Sequence, residues 1–136
     1  MTRYCLIAET DPFIARLLQR FAEEGGLQPI HARVGQDDLE LIHHTHPVVI
    51  ILEPELPGKI RGWDIVRALR SDAEACTIPL ISCSWLQEIE VAALVGEVQG
   101  NLQKPDLHYE DFVEILKRAG IDIGCKSTSY EETGSN

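Results

Sequence analysis

Five short apolar runs, at residues 3–8, 27–32, 48–52, 79–83 and 101–103, alternate with longer segments whose apolar positions recur every three or four residues. The first, third and fourth runs are almost continuously apolar, as strands are when a parallel sheet is covered on both faces. The second and fifth are more polar and predict less protected strands. The segments between them predict helices. Asp11 is a good N-cap with Pro12 at the first helical position; Ile14, Leu17, Leu18 and Phe21 share a face, and Gly25-Gly26 ends the helix. Further helices are expected over 36–44, 63–71, 88–98 and 108–119. The last opens acidic and carries Phe112, Ile115, Leu116 and Ala119 on one stripe. Strand and helix thus repeat five times, which predicts an α/β fold with a doubly wound parallel sheet. Periodicity ends at Gly120, so the domain is expected to span 1–120. Residues 121–136 read as a disordered tail or linker.

Composition narrows the class. With 136 residues, 44% hydrophobic and 25% charged, the chain is that of one globular domain with a proper core. No apolar run approaches the ~18–20 residues that span a bilayer, and "MTRYCLIAETD" has no signal-peptide core, so the expected address is cytoplasmic. Twelve basic against 22 acidic residues give a net charge of −10. That argues against nucleic acid or an anionic membrane as partner. Cys5, Cys76, Cys83 and Cys125 form no C-x-x-C pair, and Cys5 and Cys83 read as small core hydrophobes.

Sites on open parallel sheets lie beyond the carboxyl ends of the strands. Here those ends carry Glu9-Thr10-Asp11, Glu53, Ser84 and Lys104-Pro105. The ordered set "CLIAETDP", "VVIILEPELPG" with "GWDIVRALR", "IPLISCS" and "GNLQKP" resembles the receiver domain of bacterial two-component response regulators over about residues 3–119. The resemblance implies a flavodoxin-like fold of strand order 2-1-3-4-5, a cis Lys104-Pro105 bond and a role in signal transduction. It also implies departures. Glu53 stands at the phosphoacceptor aspartate, and Glu9-Thr10 at the acidic pair, so Thr10 replaces a direct magnesium ligand. Trp85 replaces a small residue, and Asn101 takes the place of an aromatic that switches rotamer. Ser84 and Lys104 are retained.

Phosphoryl transfer depends on in-line placement and on charge spread by Mg²⁺ and a lysine. Glutamate's extra methylene displaces the acceptor, and a shift near 1 Å can cost ~10²-fold in rate. Ordinary phosphorylation of Glu53 is therefore not expected, nor a cofactor; Mg²⁺ on Glu9, Asp11 and Glu53 is the alternative. Lys104 has two candidate partners: Glu53, with Ser84 adding a hydrogen bond, or Glu9, leaving Glu53 solvated. A partly exposed pair would add only ~0.2–1 kcal/mol. Trp85 is expected to cap the pocket rather than form an exposed patch, and His43, His44 and His46 to be a solvated helix end rather than a metal site.

The function expected is that of an atypical, non-enzymatic receiver domain acting by protein–protein interaction. The alternatives are a divergent receiver that keeps Mg²⁺-dependent phosphotransfer and a small flavodoxin-like enzyme or ligand binder. The partner is a sensor kinase, an output domain or a second copy. The resemblance places the contact on the face made by the fourth helix, fifth strand and fifth helix.

Overall fold

The most apolar runs form the middle of the sheet. The computed structural model describes residues 2–32, 38–54 and 62–123. In it β1 (Tyr4–Ala8), β2 (Gln28–His31), β3 (Val49–Leu52), β4 (Leu80–Ser84) and β5 (Gly100–Gln103) make one sheet in the order β2-β1-β3-β4-β5. Every neighbouring pair is parallel. The two more polar runs, β2 and β5, are its edges, where only one side is covered by another strand. All four residues of β3 are buried, as both-face coverage requires.

Helices α1 (Pro12–Glu24), α2 (Asp38–Thr45), α3 (Gly62–Ser71), α4 (Glu88–Val95) and α5 (Tyr109–Arg118) follow the strands in turn. Alternation along each strand sorts the core into two layers. Cys5, Ile7, Val49, Ile51, Ile81 and Cys83 meet Leu18 and Phe21 of α1 and Phe112 and Leu116 of α5. Leu6, Ala8, Ile50, Leu52 and Leu80 meet Ile42 of α2 and Ile65, Val66 and Leu69 of α3. Each buried Val, Leu, Ile or Phe among them contributes about 1.5–3 kcal/mol of apolar burial.

Two expected boundaries move. Helix α4 stops at Val95 rather than 98, because Gly96 takes φ +88° and returns its N–H to the Ala92 carbonyl. The packed chain runs past Gly120: Ile121 and Ile123 are buried in the α1–α5 layer, and Arg3 Nη2 donates to the Asp122 carbonyl at 2.7 Å. Three residues are too few to show a period, so this last apolar pair reads from sequence as tail. Residues 124–136, with Cys125, lie outside the described residues. A short 3-10 turn at Ala75–Thr77 precedes β4.

Candidate functional site

The ladder fixes the site's backbone. Glu53 N–H donates to the Ala8 carbonyl at 2.9 Å, one step beyond β3, and Lys104 N–H donates to the Ser84 carbonyl at 2.7 Å, one step beyond β5. The register therefore sets Glu9 and Glu53 level at the carboxyl ends of β1 and β3, with Lys104 two positions farther on beyond β5. The Lys104 side chain reaches back across the end of β4, and its Nζ lies 3.0 Å from Glu9 Oε2 and 3.0 Å from Glu53 Oε2. Both candidate partners of the lysine are thus engaged at once. All three side chains are buried: Glu9 is 2%, Lys104 3% and Glu53 8% exposed. The interaction belongs with buried ion pairs, not with the weak surface pairs expected from sequence.

Thr10 supplies what its neighbours lack. Its N–H (3.0 Å) and its hydroxyl (2.7 Å) both donate to Glu53 Oε1. Both oxygens of Glu53 are therefore engaged. Burial alone would raise the Glu53 pKa, but the two Thr10 hydrogen bonds and the Lys104 ammonium outweigh it and hold the carboxyl below its ordinary value. Glu9 goes the other way: burial raises it, and the Lys104 and Asp11 hydrogen bonds only partly offset that. Its Oε2 accepts from the Asp11 N–H at 3.1 Å and from Lys104, while Oε1 is buried without a partner among the described residues. A proton on Glu9 would relieve both its buried charge and the like charge of Glu53. Burial opposes the charge on Lys104, yet its hydrogen bonds to Glu9 and Glu53 raise its pKa, so it stays protonated.

Asp11 does different work. Its Oδ1 accepts from the Phe13 N–H (2.9 Å) and the Ile14 N–H (3.4 Å), capping α1 as the sequence predicts. The Lys104–Pro105 bond is cis.

This placement of acid, lysine and cis proline on a 2-1-3-4-5 sheet agrees with the comparisons with known proteins. The family described as response regulator receiver domain matches residues 5–118. The chain belongs to that family. It is 26% identical to the polar-differentiation response regulator DivK of Brucella ovis over 119 residues, covering 86% of this chain and 95% of that one. A crystal structure of a sensor protein from Polaromonas sp. JS666 superposes with a TM-score of 0.74 at 26% identity, over 86% of this chain and 94% of the other. The chemotaxis protein CheY4 of Vibrio cholerae, at 20% identity, shares the fold with a TM-score of 0.73 over 87% of this chain and 98% of its own. As a receiver domain the chain serves two-component signalling, where such domains interact with other proteins.

Within this receiver domain the magnesium expected of the family does not fit the donors present. Asp11 is turned to the α1 cap through Oδ1, Thr10 offers a hydroxyl already donated to Glu53, and the Lys104 ammonium stands between the remaining two carboxylates. A cation needing near-octahedral oxygen ligands at about 2.0–2.1 Å would have to displace that ammonium. Among the described residues no group of three His, Cys, Asp or Glu side chains is arranged to hold a metal.

The loop after β4 is tied to β5. Ser84 Oγ accepts from the Leu86 N–H at 2.9 Å. Asn101 Nδ2 donates to the Leu86 carbonyl (3.1 Å), its Oδ1 accepts from the buried Ser82 hydroxyl (2.6 Å), and Gln103 Nε2 donates to the Trp85 carbonyl (3.2 Å). Asn101 is thus a staple between β4, β5 and the loop that follows β4. Trp85 does not cap the pocket: it is 59% exposed, because the staple holds its backbone on the outside of the sheet end. Neither Thr10 as the holder of Glu53 nor Gln103 as a loop tether is singled out by sequence; the available signal is a donor side chain one position from a strand end.

At the opposite end of the sheet His43 Nε2 lies 2.9 Å from Asp72 Oδ2, and His46 Nδ1 pairs with Glu74 Oε2. His44 Nδ1 lies 3.2 Å from the Glu40 carbonyl oxygen.

Proposed function

We propose that this receiver domain is not switched by ordinary phosphorylation and acts as a protein-binding module without enzymatic activity or cofactor. The observation that carries the reading is the engagement of both oxygens of Glu53. Oε1 accepts twice from Thr10 and Oε2 accepts from Lys104. An in-line nucleophile needs a free carboxylate oxygen and a cation to neutralise the incoming phosphoryl group, and here the lysine that would serve is already shared by two carboxylates. Glu53 itself fills the phosphoryl space and fixes one arrangement of the strand ends. The partner would be a sensor kinase, an output domain or a second copy. The proposed contact is the face of α4, β5 and α5, beside which Trp85 and Ile89 are 59% and 76% exposed. A cytoplasmic address is part of the proposal and suits Cys5, Cys76 and Cys83, none of which forms a disulfide among the described residues.

The test is titration of Mg²⁺ and beryllofluoride against Trp85 fluorescence, with mass spectrometry after acetyl phosphate. No saturable Mg²⁺-dependent change and no adduct is the expected result. A phosphoryl adduct on Glu53 removes the reading in favour of retained phosphotransfer.

A further inference from the structure

Helix α4 is apolar nearly all round: Ile89, Val91, Ala92, Ala93, Leu94 and Val95 account for all but its two glutamates. Such a helix is normally buried on every side. Here only Val91 is fully buried, while Ile89 is 76% and Leu94 47% exposed. With Trp85 this makes three of the four exposed large hydrophobic side chains among the described residues, all within ten positions of the chain. Among the described residues nothing covers them. The Gln103 bond to the Trp85 carbonyl joins this strip to a cavity of about 490 Å³ between β5 and α5, lined by Gln103 and Pro105 together with Asp106, Asp111, Glu114 and Arg118.

The charge of that surface says what can cover it. Asp106, Asp111 and Glu114 are exposed in the groove, and Glu88 is exposed at the start of α4. Against them stands exposed Arg118, for the Lys104 charge is held behind the groove by Glu9 and Glu53. A second copy would set this acidic face, on a chain of net charge −10, against itself. Like-charge juxtaposition of that kind is costly. An anionic membrane or nucleic acid is repelled in the same way.

We propose that the α4–β5–α5 surface binds a cationic, apolar-anchored segment of a different protein: Lys or Arg side chains in the β5–α5 groove, and an aliphatic or aromatic anchor on Trp85 and Ile89. This rests on the reading of the face as the partner surface and chooses among the partners named there. The tether of Trp85 by Gln103, and of the next residue by Asn101, presents the anchor site without a prior switch.

Binding of three labelled peptides, by anisotropy at low and physiological salt, tests it. One alternates Lys with Leu, one alternates Glu with Leu, and one alternates Lys with Ser. The Lys–Leu peptide is expected to bind saturably and to shift Trp85 emission, the Lys–Ser peptide at least tenfold more weakly, and the Glu–Leu peptide not at all. Trp85→Ala with Ile89→Ser, and separately Asp106→Lys with Asp111→Lys, should each weaken Lys–Leu binding about tenfold. Glu24→Lys with Glu40→Lys, exposed and on α1 and α2, should leave it within about twofold. All the substituted side chains are exposed, and circular dichroism of each variant verifies its fold. Equal binding of the Lys–Ser peptide, or equal loss in the α1–α2 variant, overturns the proposal as bare charge attraction. A dimer in sedimentation that the Trp85→Ala, Ile89→Ser variant abolishes overturns it in favour of a second copy. A phosphoryl adduct on Glu53 with Lys–Leu binding intact would remove the unphosphorylated reading and leave this one standing.

Discussion

Replacing Lys104 by methionine keeps most of the side-chain volume and removes the charge that Glu9 and Glu53 share. Both carboxylates would remain where the strand ends put them, less than a tenth exposed, and neither has another cation within hydrogen-bonding reach among the described residues. Removing one partner of a buried ion pair typically costs about 3–5 kcal/mol, because the charge left behind is uncompensated. Relief comes by protonation of Glu9, whose pKa already lies above the ordinary value. Placing that proton costs about 1.4 kcal/mol for every pH unit by which the solution lies above the Glu9 pKa, so the penalty is softened but not cancelled. At roughly 3–5 °C per kcal/mol for a domain of this size, Tm should fall by about 10–20 °C. Urea unfolding at pH 7 followed by far-ultraviolet circular dichroism measures the change. The double variant Lys104→Met, Glu9→Gln should recover more than half of it, since one buried charge disappears with its partner. A loss under about 1 kcal/mol in the single variant would refute the reasoning, for that is the worth of a solvated pair.

Two other outcomes are expected. A Cβ at Gly100 would lie 2.4 Å from Ile115 Cγ2, so Gly100→Ala should cost about 1–3 kcal/mol in the same unfolding assay, with partial recovery on adding Ile115→Ala. At the other end of the sheet, the hydrogen bond to Asp72 raises the His43 pKa above its ordinary 6.5. The stabilisation from His43 is therefore full below pH 6.5 and lost as pH rises through the higher folded value. Asp72, held below 3.8 first by the Ala75 N–H and then by His43, loses its own share as pH falls through its lowered value. An NMR titration of the His43 ring should show a midpoint above 6.5 that returns to it in Asp72→Asn; a midpoint at or below 6.5 in the parent chain refutes the pairing.

How much of this was legible in the chain follows from the range over which each feature acts. The order of burial among the strands could be read because a strand covered on both faces must be apolar at every position, as Val49–Leu52 is, and an edge need not be. The Asp11 cap could be read because its partners lie two and three residues away. The stop of α4 was missed at a single glycine, Gly96, in a stretch whose apolar content continues to Val98. Ile121 and Ile123 were missed because their burial depends on α1 and α5 coming together around them. At the site, the strand-end rule gathered Glu9, Glu53 and Lys104. It could not say that one lysine serves both acids, since that is set by side-chain reach across β4. Trp85 was misplaced for the same reason: a loop aromatic carries no local mark of exposure, and the bonds that hold its loop come from Asn101 and Gln103, 15 and 18 residues away.

The two departures at the acidic site are physically one. A threonine beside Glu9 removes a carboxylate but adds a hydroxyl donor, and that hydroxyl is useful only to an acceptor within about 3 Å. Glu53 provides one because its extra methylene carries Oε1 to Thr10 while Oε2 reaches Lys104. A carboxylate one methylene shorter on the same backbone would have to give up one of these contacts. A second acid in place of Thr10, at an exposed position, would meet Glu53 as a like charge and push its carboxyl up instead of holding it down. The length of Glu53 and the hydroxyl of Thr10 thus support each other. In the reading proposed above, the two together occupy the space a phosphoryl group would need. On that proposal the site is a fixed structural element, and the variable part of this receiver domain is sought on the apolar and acidic surface of α4, β5 and α5 rather than in the chemistry of the acid.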